Sequence, residues 1–229
     1  MSKRLIIAID GPAAAGKSTL ARRVALRLGA VYIDTGAMYR AVALWAMRSG
    51  IPLDDSHRLE ALAKNASIEF VAGDDRLLLN GEDVTEAIRT LEVASAASEV
   101  AAVAGVRRQM VEMQREIAAN SSVVMEGRDI GTVVFPDADV KIFLDATSEI
   151  RAQRRAEELG EKKIPFDLDR LRQQIEERDA RDRNRTASPL LQAQDATYLD
   201  SSKLTPIEAE EAILKIIRTK TSNGKGLVH

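Results

Sequence analysis

The 229-residue chain contains no cysteine, so it can form no disulfide, thiolate nucleophile or thiolate metal site, and it suits a reducing compartment. Its two histidines, His57 and His229, are far apart in sequence and poorly placed for a histidine-based centre. The opening run LIIAI is too short for the core of a signal peptide, and no stretch has the length to span a bilayer. A cytoplasmic protein with no membrane partner is expected. Charge of neither sign dominates: 33 Lys and Arg stand against 35 Asp and Glu, a formal net charge of −2. With aromatics at only 3%, that balance argues against a nucleic-acid partner.

Arginine is what the chain has in quantity. Of the 33 basic residues 23 are Arg, whose planar guanidinium favours bidentate contacts to phosphate or carboxylate. Hydrophobic content of 45% over this length supports one good-sized core, or a core with a small appended domain.

Residues 5–10 read as a buried strand ending in Gly-Pro, followed by a helix over 17–28 closed by Gly29. A second strand is expected over 31–34, then helices over 37–48 and 57–66. The middle changes character: 67–72 alternates, GDD turns, 76–79 is apolar, and Asn80-Gly81 is a strong hairpin signal. Two alanine-rich helices follow, near 91–103 and 106–119. The β/α rhythm then returns with strands at 123–125, 140–144 and 196–200, and with helices at 148–159 and from about 169. Between those two helices GEKKIPFDL reads as a mobile lid loop. Thr205, Pro206 and Glu208 open a last helix as N-cap, N1 and N3, and the tail TSNGKGLVH reads as frayed. Strands alternating with helices imply an α/β fold: a parallel sheet flanked by helices, interrupted by a small antiparallel insertion.

GPAAAGKST follows the first strand directly and opens a helix, matching G-x-x-x-x-G-K-[ST] at Gly11, Gly16, Lys17 and Ser18. Glycines permit a backbone path that aims successive N–H groups into one concavity, and the helix N-terminus adds partial positive charge. Pro12, Ala13, Ala14, Ala15 and Thr19 complete the loop. Lys17 can reach the β- and γ-phosphates and the Ser18 hydroxyl can ligate Mg²⁺, so an ATP site is expected.

Three further segments are ambiguous alone. DTGAMYR (34–40) ends the second strand as a capped turn or as a ligand clamp. EGRDIGTVVFPDA (126–138) is a βα loop with a local Arg–Asp pair, or a phosphate donor, Arg128, beside an acceptor, Asp129. RDARDRNR (178–185) would place Arg178, Arg181, Asp182 and Arg185 on one helix face, either solvated and laced with ion pairs or gripping an anion.

Taken together, GPAAAGKST, DTGAMYR, EIRT with EVASAASEVAA, GRDIGTVVFPDA, VKIFLDA and RDARDRNR resemble the bacterial cytidylate kinases, of the nucleoside monophosphate kinase superfamily. The resemblance runs from about residue 6 to 217. It implies a P-loop NTPase core (1–35, 104–150 and 169–229), an inserted α+β monophosphate-binding domain (36–103) and a short lid (151–168). It implies ATP as phosphoryl donor, CMP or dCMP as acceptor, and a monomer. Carried over by position, Arg40 and Arg128 would contact the acceptor phosphate. Ser98, Arg107 and Asp129 would meet the cytosine edge, with Arg185 nearby, and Arg178 and Asp182 would hold ribose hydroxyls close to Thr35. Lys17, Arg128 and Arg154 would be catalytic, Arg154 lying with Arg151 and Arg155 among the arginines before the lid. One position departs from the family: Glu126 stands where Asp is common. Kinases of the same fold acting on UMP, AMP or a sugar acid are the nearest rivals, and a nucleotide-gated regulatory protein is the rival from another class.

Overall fold

The computed structural model describes residues 4–71, 76–161 and 163–222. The expected turn at Gly73, Asp74 and Asp75, Lys162 of the expected lid loop, and residues 223–229 of the tail, His229 among them, lie outside the described residues. In chain order the elements are β1 (Ile6–Asp10), α1 (Lys17–Leu28), β2 (Val31–Asp34), α2 (Thr35–Arg48), α3 (Ser56–Lys64), β3 (Ile68–Phe70), β4 (Leu77–Leu79) and β5 (Glu82–Asp83). There follow α4 (Leu91–Val100), α5 (Ala104–Ile117), β6 (Val123–Gly127), β7 (Val140–Asp145), α6 (Ser148–Glu161), α7 (Leu168–Asn184), β8 (Thr197–Asp200) and α8 (Pro206–Ser222). The chain divides into two compact units, one formed by Ile33–Asn120 and the other by the segments before and after it.

The flanking segments build a sheet of order β2-β6-β1-β7-β8. β1 runs parallel to both β6 and β7, with Asp10 level with Gly127 on one side and Phe143 on the other. All five residues of β1 are buried, which is why Ile6–Ile9 reads as an apolar run without alternation: helices cover the sheet and leave no wet face. Ile7, Ile9, Val124, Ile142 and Leu144 form a core with Leu20 and Val24 of α1 and Ile213 and Ile217 of α8. Burying each such side chain contributes about 1.5–3 kcal/mol. α1 ends at Gly29 (φ 61°), and the Ala30 N–H reaches back to the Ala25 carbonyl at 2.9 Å. α8 begins with a reciprocal cap: Thr205 N–H donates to Glu208 at 2.9 Å and Glu208 N–H donates to the Thr205 hydroxyl at 3.3 Å.

The polar end of β1 organises the turn after β6. Both Asp10 carboxylate oxygens accept backbone N–H bonds, from Ile130 at 2.8 Å and Gly131 at 2.7 Å. Ile130–Val134 is a single wide helical turn, with Val134 N–H on the Asp129 carbonyl and Phe135 N–H on the Ile130 carbonyl. A Cβ on Gly131 would lie 3.1 Å from the Lys141 side chain and 3.4 Å from Asp10, so a larger residue would make the Lys141 side chain give by a few tenths of an ångström. Lys141 is itself buried and held by the Pro136 carbonyl and by Asp195 at 2.8 Å.

Within Ile33–Asn120, α2 packs on α4 and α3 on α5. Alanines at 37, 41, 43, 46, 96 and 97 keep the α2–α4 contact close, and Met38, Leu59, Val100, Val106 and Met110 fill the core. The antiparallel strands β3-β4-β5 add Ile68, Leu77 and Leu79 to that core. Asn80 (φ 51°) and Gly81 (φ 82°) form the expected hairpin turn, but it joins β4 to β5, a two-residue strand too short and too exposed to show in the sequence. α2 starts two residues earlier than expected because the Asp34 side chain caps it, accepting the Ala37 N–H at 2.9 Å. The boundary of this unit falls at Asn120, whereas the sequence reading puts residues from 104 onward in the core. The difference is α5, whose buried face meets α3. Among the described residues no helix is long and apolar enough to cross a membrane.

Burial pushes the Asp10 carboxyl from 3.8 up to about 6, more than the Gly131 and Ile130 N–H bonds pull it down, and Asp129 adds to the rise. The folded chain therefore binds this proton more tightly than the unfolded chain, and the stability so contributed is full below about pH 4 and lost as pH rises through about 6. Urea unfolding at pH 4, 5, 6 and 7 is expected to show the native chain losing stability relative to Asp10→Asn across this window. Parallel curves would show that burial does not shift Asp10.

Candidate active site

β1 delivers the chain into the loop at Gly11 (φ 153°), where a Cβ would stand 1.9 Å from the Leu144 carbonyl oxygen. No other residue fits between two adjacent buried strands there. Ala14 (φ 58°) and Gly16 (φ 90°) also take positive φ, the kind of alternation that turns successive N–H groups to one side. Gly16 is the N-cap of α1 and offers no side-chain acceptor, and the first turn holds no acidic residue. The helix end thus keeps its donors and its partial positive charge for an anion. Lys17 is buried and donates to the Pro12 carbonyl at 2.6 Å. Burial most of all, with the charges of Arg128 and Arg178, brings its ammonium down to about 7 against the opposing pull of Glu126 and Asp10. Ser18 and Thr19 are exposed at the start of the helix.

Two arginines of α6 hold the loop by its backbone. Arg151 donates from Nη1 to the Ala13 carbonyl at 3.0 Å and from Nε to the Ala146 carbonyl at 2.9 Å. Its partner is Asp179 at 2.6 Å, whose other oxygen accepts the Ala13 N–H at 3.3 Å. Arg154 donates to the Ala15 carbonyl at 3.2 Å and to the Ser201 carbonyl at 2.7 Å. Arg155 pairs with Glu158 at 2.6 Å on the surface. Residues 151–161, expected in the lid, belong to α6, and α6 and α7 share a small cluster of Ala156, Leu159 and Leu171.

α7 answers the ambiguity of RDARDRNR. Its buried stripe is Leu171, Ile175, Asp179 and Asp182, with Arg178 half-buried on the flank. Arg181 is exposed, contrary to the shared face expected of it: it follows Ile175 by six residues, about 120° off the stripe. Arg185 lies past the helix end in extended backbone and donates to the Ser188 carbonyl at 2.6 Å. Arg128, just beyond β6, donates to Asp182 at 2.9 Å. Arg185 stands 3.8 Å from Asp129 and 4.0 Å from Asp182. Burial alone would raise Asp182, but Arg128, Arg178 and Arg185 outweigh it and hold the carboxyl below its ordinary value. Burial likewise opposes the charge on Arg128, and Asp182 more than restores it. Arg128, Asp129, Asp182 and Arg185 are therefore one largely buried ionic cluster, and the charges of its Arg128 and of the neighbouring Arg178 act on Lys17.

The remaining expected residues belong to Ile33–Asn120. Thr35 is buried at the start of α2 and Ser98 half-buried in α4. Arg40 donates to Asp34 at 2.9 Å, and Gly36 leaves the room for that pair, since a Cβ there would lie 3.2 Å from Arg40. Arg107 is buried, sits 5.4 Å over the Tyr39 ring and donates to the Ala101 carbonyl at 3.1 Å.

The sequence leaves Asp179 unassigned and marks Glu126 only as a departure from the family. Asp179 is the more buried aspartate of RDARDRNR, and a helical register anchored on Leu171 and Ile175 would have found it. Glu126 is buried and accepts a 2.6 Å hydrogen bond from the Tyr32 hydroxyl, a partner with no signal in the linear pattern.

Known proteins match this chain along nearly its whole length. A family model, cytidylate kinase, matches residues 7–219. A cytidylate kinase of Solibacter usitatus is 57% identical over 97% of this chain and 96% of its own. One of Oceanobacillus iheyensis is 46% identical over 99% and 100%. Among solved structures a gluconokinase of Sinorhizobium meliloti, 15% identical, covers 96% of this chain and 97% of its own with a TM-score of 0.52, a likeness of fold alone. Family model, relatives and the phosphate loop at the end of β1 agree, and the chain belongs to the cytidylate kinase family.

Proposed function

We propose that this protein transfers the γ-phosphoryl group of ATP to CMP or dCMP, giving ADP and CDP or dCDP. Beyond family membership, the observation that carries this reading is the ionic cluster of Arg128, Asp129, Asp182 and Arg185, whose arginine charge is felt at Lys17. A protein that only held ATP would need no second concentration of arginine in the same unit as the phosphate loop.

The loop 11–19 is assigned to the triphosphate, with Lys17 on the β- and γ-phosphates. Ser18 suits Mg²⁺: it is an exposed hydroxyl at the first turn of α1. Among the described residues no group of three or more His, Cys, Asp or Glu could hold a metal, so phosphates and water would complete the shell. When bound, that ion supplies neutralising charge to the phosphates. Arg128 and Arg40 are assigned to the acceptor phosphate, Arg178, Asp182 and Thr35 to the ribose, and Ser98, Arg107, Asp129 and Arg185 to the base. The acceptor is a phosphate oxygen, already anionic at neutral pH, so no strong base is needed. Rate comes from in-line positioning and from neutralising the transferring group. Arg154 is assigned to that neutralisation; in the structure it donates to the Ser201 carbonyl.

Base choice follows from donors and acceptors. Cytosine presents an amino donor at N4, which a carboxylate such as Asp129 can accept, whereas uracil presents an oxygen there. An unpaired buried polar group costs about 1–3 kcal/mol, so discrimination against uracil of roughly tenfold to over a hundredfold follows. We take the enzyme to be a cytoplasmic monomer.

ADP production with Mg²⁺-ATP against CMP, dCMP, UMP, AMP, GMP and no acceptor is expected to be strong with CMP and dCMP. Turnover with another acceptor would overturn the base assignment, and acceptor-independent hydrolysis would overturn the kinase reading. Lys17→Ala is expected to lose most turnover with its circular dichroism unchanged; near-normal activity would remove its role. Arg178→Ala is expected to raise the KM for CMP more than that for ATP, and an unchanged KM for CMP would refute its ribose assignment.

A further inference from the structure

Both backbone groups of Ala13 are taken by one buried ion pair. The Ala13 N–H goes to Asp179 Oδ1 and the Ala13 carbonyl accepts from Arg151, while Arg151 and Asp179 bind each other at 2.6 Å. Their side chains are 6% and 3% exposed, so the pair is almost wholly withdrawn from water. The sequence resemblance puts Arg151 with the arginines that close over the transferring group. Its Nε and Nη1 are instead committed to Ala146, Ala13 and Asp179.

We infer that Arg151 and Asp179 are positioning residues for the phosphate loop: they set its path at Ala13, so that nucleotide affinity depends on two side chains bound to backbone rather than to phosphate. Three observations support this. First, an apolar pair would fill the same space without the desolvation cost of two charges, whereas only an acceptor and a donor can hold an N–H and a carbonyl in fixed directions. Second, the hold falls one residue before Ala14, where the chain turns to positive φ, and four before Lys17. A shift at Ala13 would therefore propagate through the residues that follow. Third, Asp179 lies between Arg178 and Asp182 on α7, so one helix carries both the grip on the loop and part of the ionic cluster. The Ala13 N–H, being satisfied by Asp179, is not a phosphate donor.

The inference rests on the assignment of residues 11–19 to the triphosphate, and Lys17→Ala serves as the control for it. Asp179→Asn removes the charge. Arg151→Met with Asp179→Leu replaces the pair by apolar side chains, the change by which buried ion pairs are lost with least harm to folding. Binding of Mg²⁺-ADP, KM for ATP, KM for CMP and thermal midpoint are measured for each. Asp179→Asn is expected to weaken ADP binding and raise the KM for ATP about tenfold or more, with a smaller change in the KM for CMP. The double variant is expected to recover the thermal midpoint but not the nucleotide affinity. A double variant with parental midpoint and parental affinity would make the pair structural only and overturn the inference. A Lys17→Ala protein that binds ADP normally would overturn the loop assignment itself. One readout needs no variant: amide exchange in the unaltered protein. Adding Mg²⁺-ADP is expected to slow exchange at Gly16 and Lys17 and leave Ala13 unmoved. Equal slowing at Ala13 would show that its N–H turns to the nucleotide, and the inference fails.

Discussion

Charge taken out of water needs a partner, and the unit that carries the phosphate loop has taken an unusual amount of it out. Asp10, Lys17, Glu126, Asp129, Arg151, Asp179 and Asp182 are all buried. An isolated ion in such a place would cost several kcal/mol, so each must be met by an opposite charge or by backbone dipoles. The site is the set of those meetings. Asp10 takes two N–H groups, Glu126 takes the Tyr32 hydroxyl, Asp179 takes Arg151 and Ala13, and Asp182 takes Arg128. At Lys17, burial and the nearby charge of Arg128 show as an ammonium brought down to about 7.

The sheet makes this density possible. β1 and β6 end level at Asp10 and Gly127, while β7 passes Asp10 at Phe143 and runs two residues further to Asp145, so the loops leave from one edge of the sheet. Gly11 passes the Leu144 carbonyl at a distance no side chain permits, and Gly131 packs against Lys141 and Asp10. The N–H groups of Ile130 and Gly131 do the work of counter-charges for Asp10. The Asp10 carboxylate joins the end of one strand to the turn after its neighbour, and that turn begins beside Arg128 and Asp129, members of the ionic cluster.

α6 and α7 then tie the loop down. Arg151 and Arg154 reach the loop from α6, and Asp179 from α7. The same α7 stripe that buries Leu171 and Ile175 continues as Asp179 and Asp182, so an apolar seam becomes an ionic one along a single helix face. A run of six charges in eight residues is therefore neither a solvated face nor a uniform grip. It divides, with Asp179 and Asp182 turned inward and Arg181 left in water.

Apart from β5, the order of strands and helices was legible in the sequence alone. So were the phosphate loop, the Gly29 stop, the Asn80-Gly81 turn and the cap at Thr205, because each rests on local chemistry: backbone φ, side-chain caps and hydrophobic period. The residues of the ionic cluster were legible as candidates, since Arg128 and Asp182 stand in recognisable segments, but their pairing across 54 positions was not. Tertiary structure alone decided which charges meet. It joined Asp10 to the turn at 130–131, Tyr32 to Glu126, and Arg151 to Asp179 and Ala13. It also gave α5 to the unit of α3 rather than to the core. The physical reason is that burial is a property of the packed whole. A linear pattern shows which residues could be charged, apolar or turning, but the partner that makes a buried charge tolerable comes from another strand or helix, and only packing brings it there.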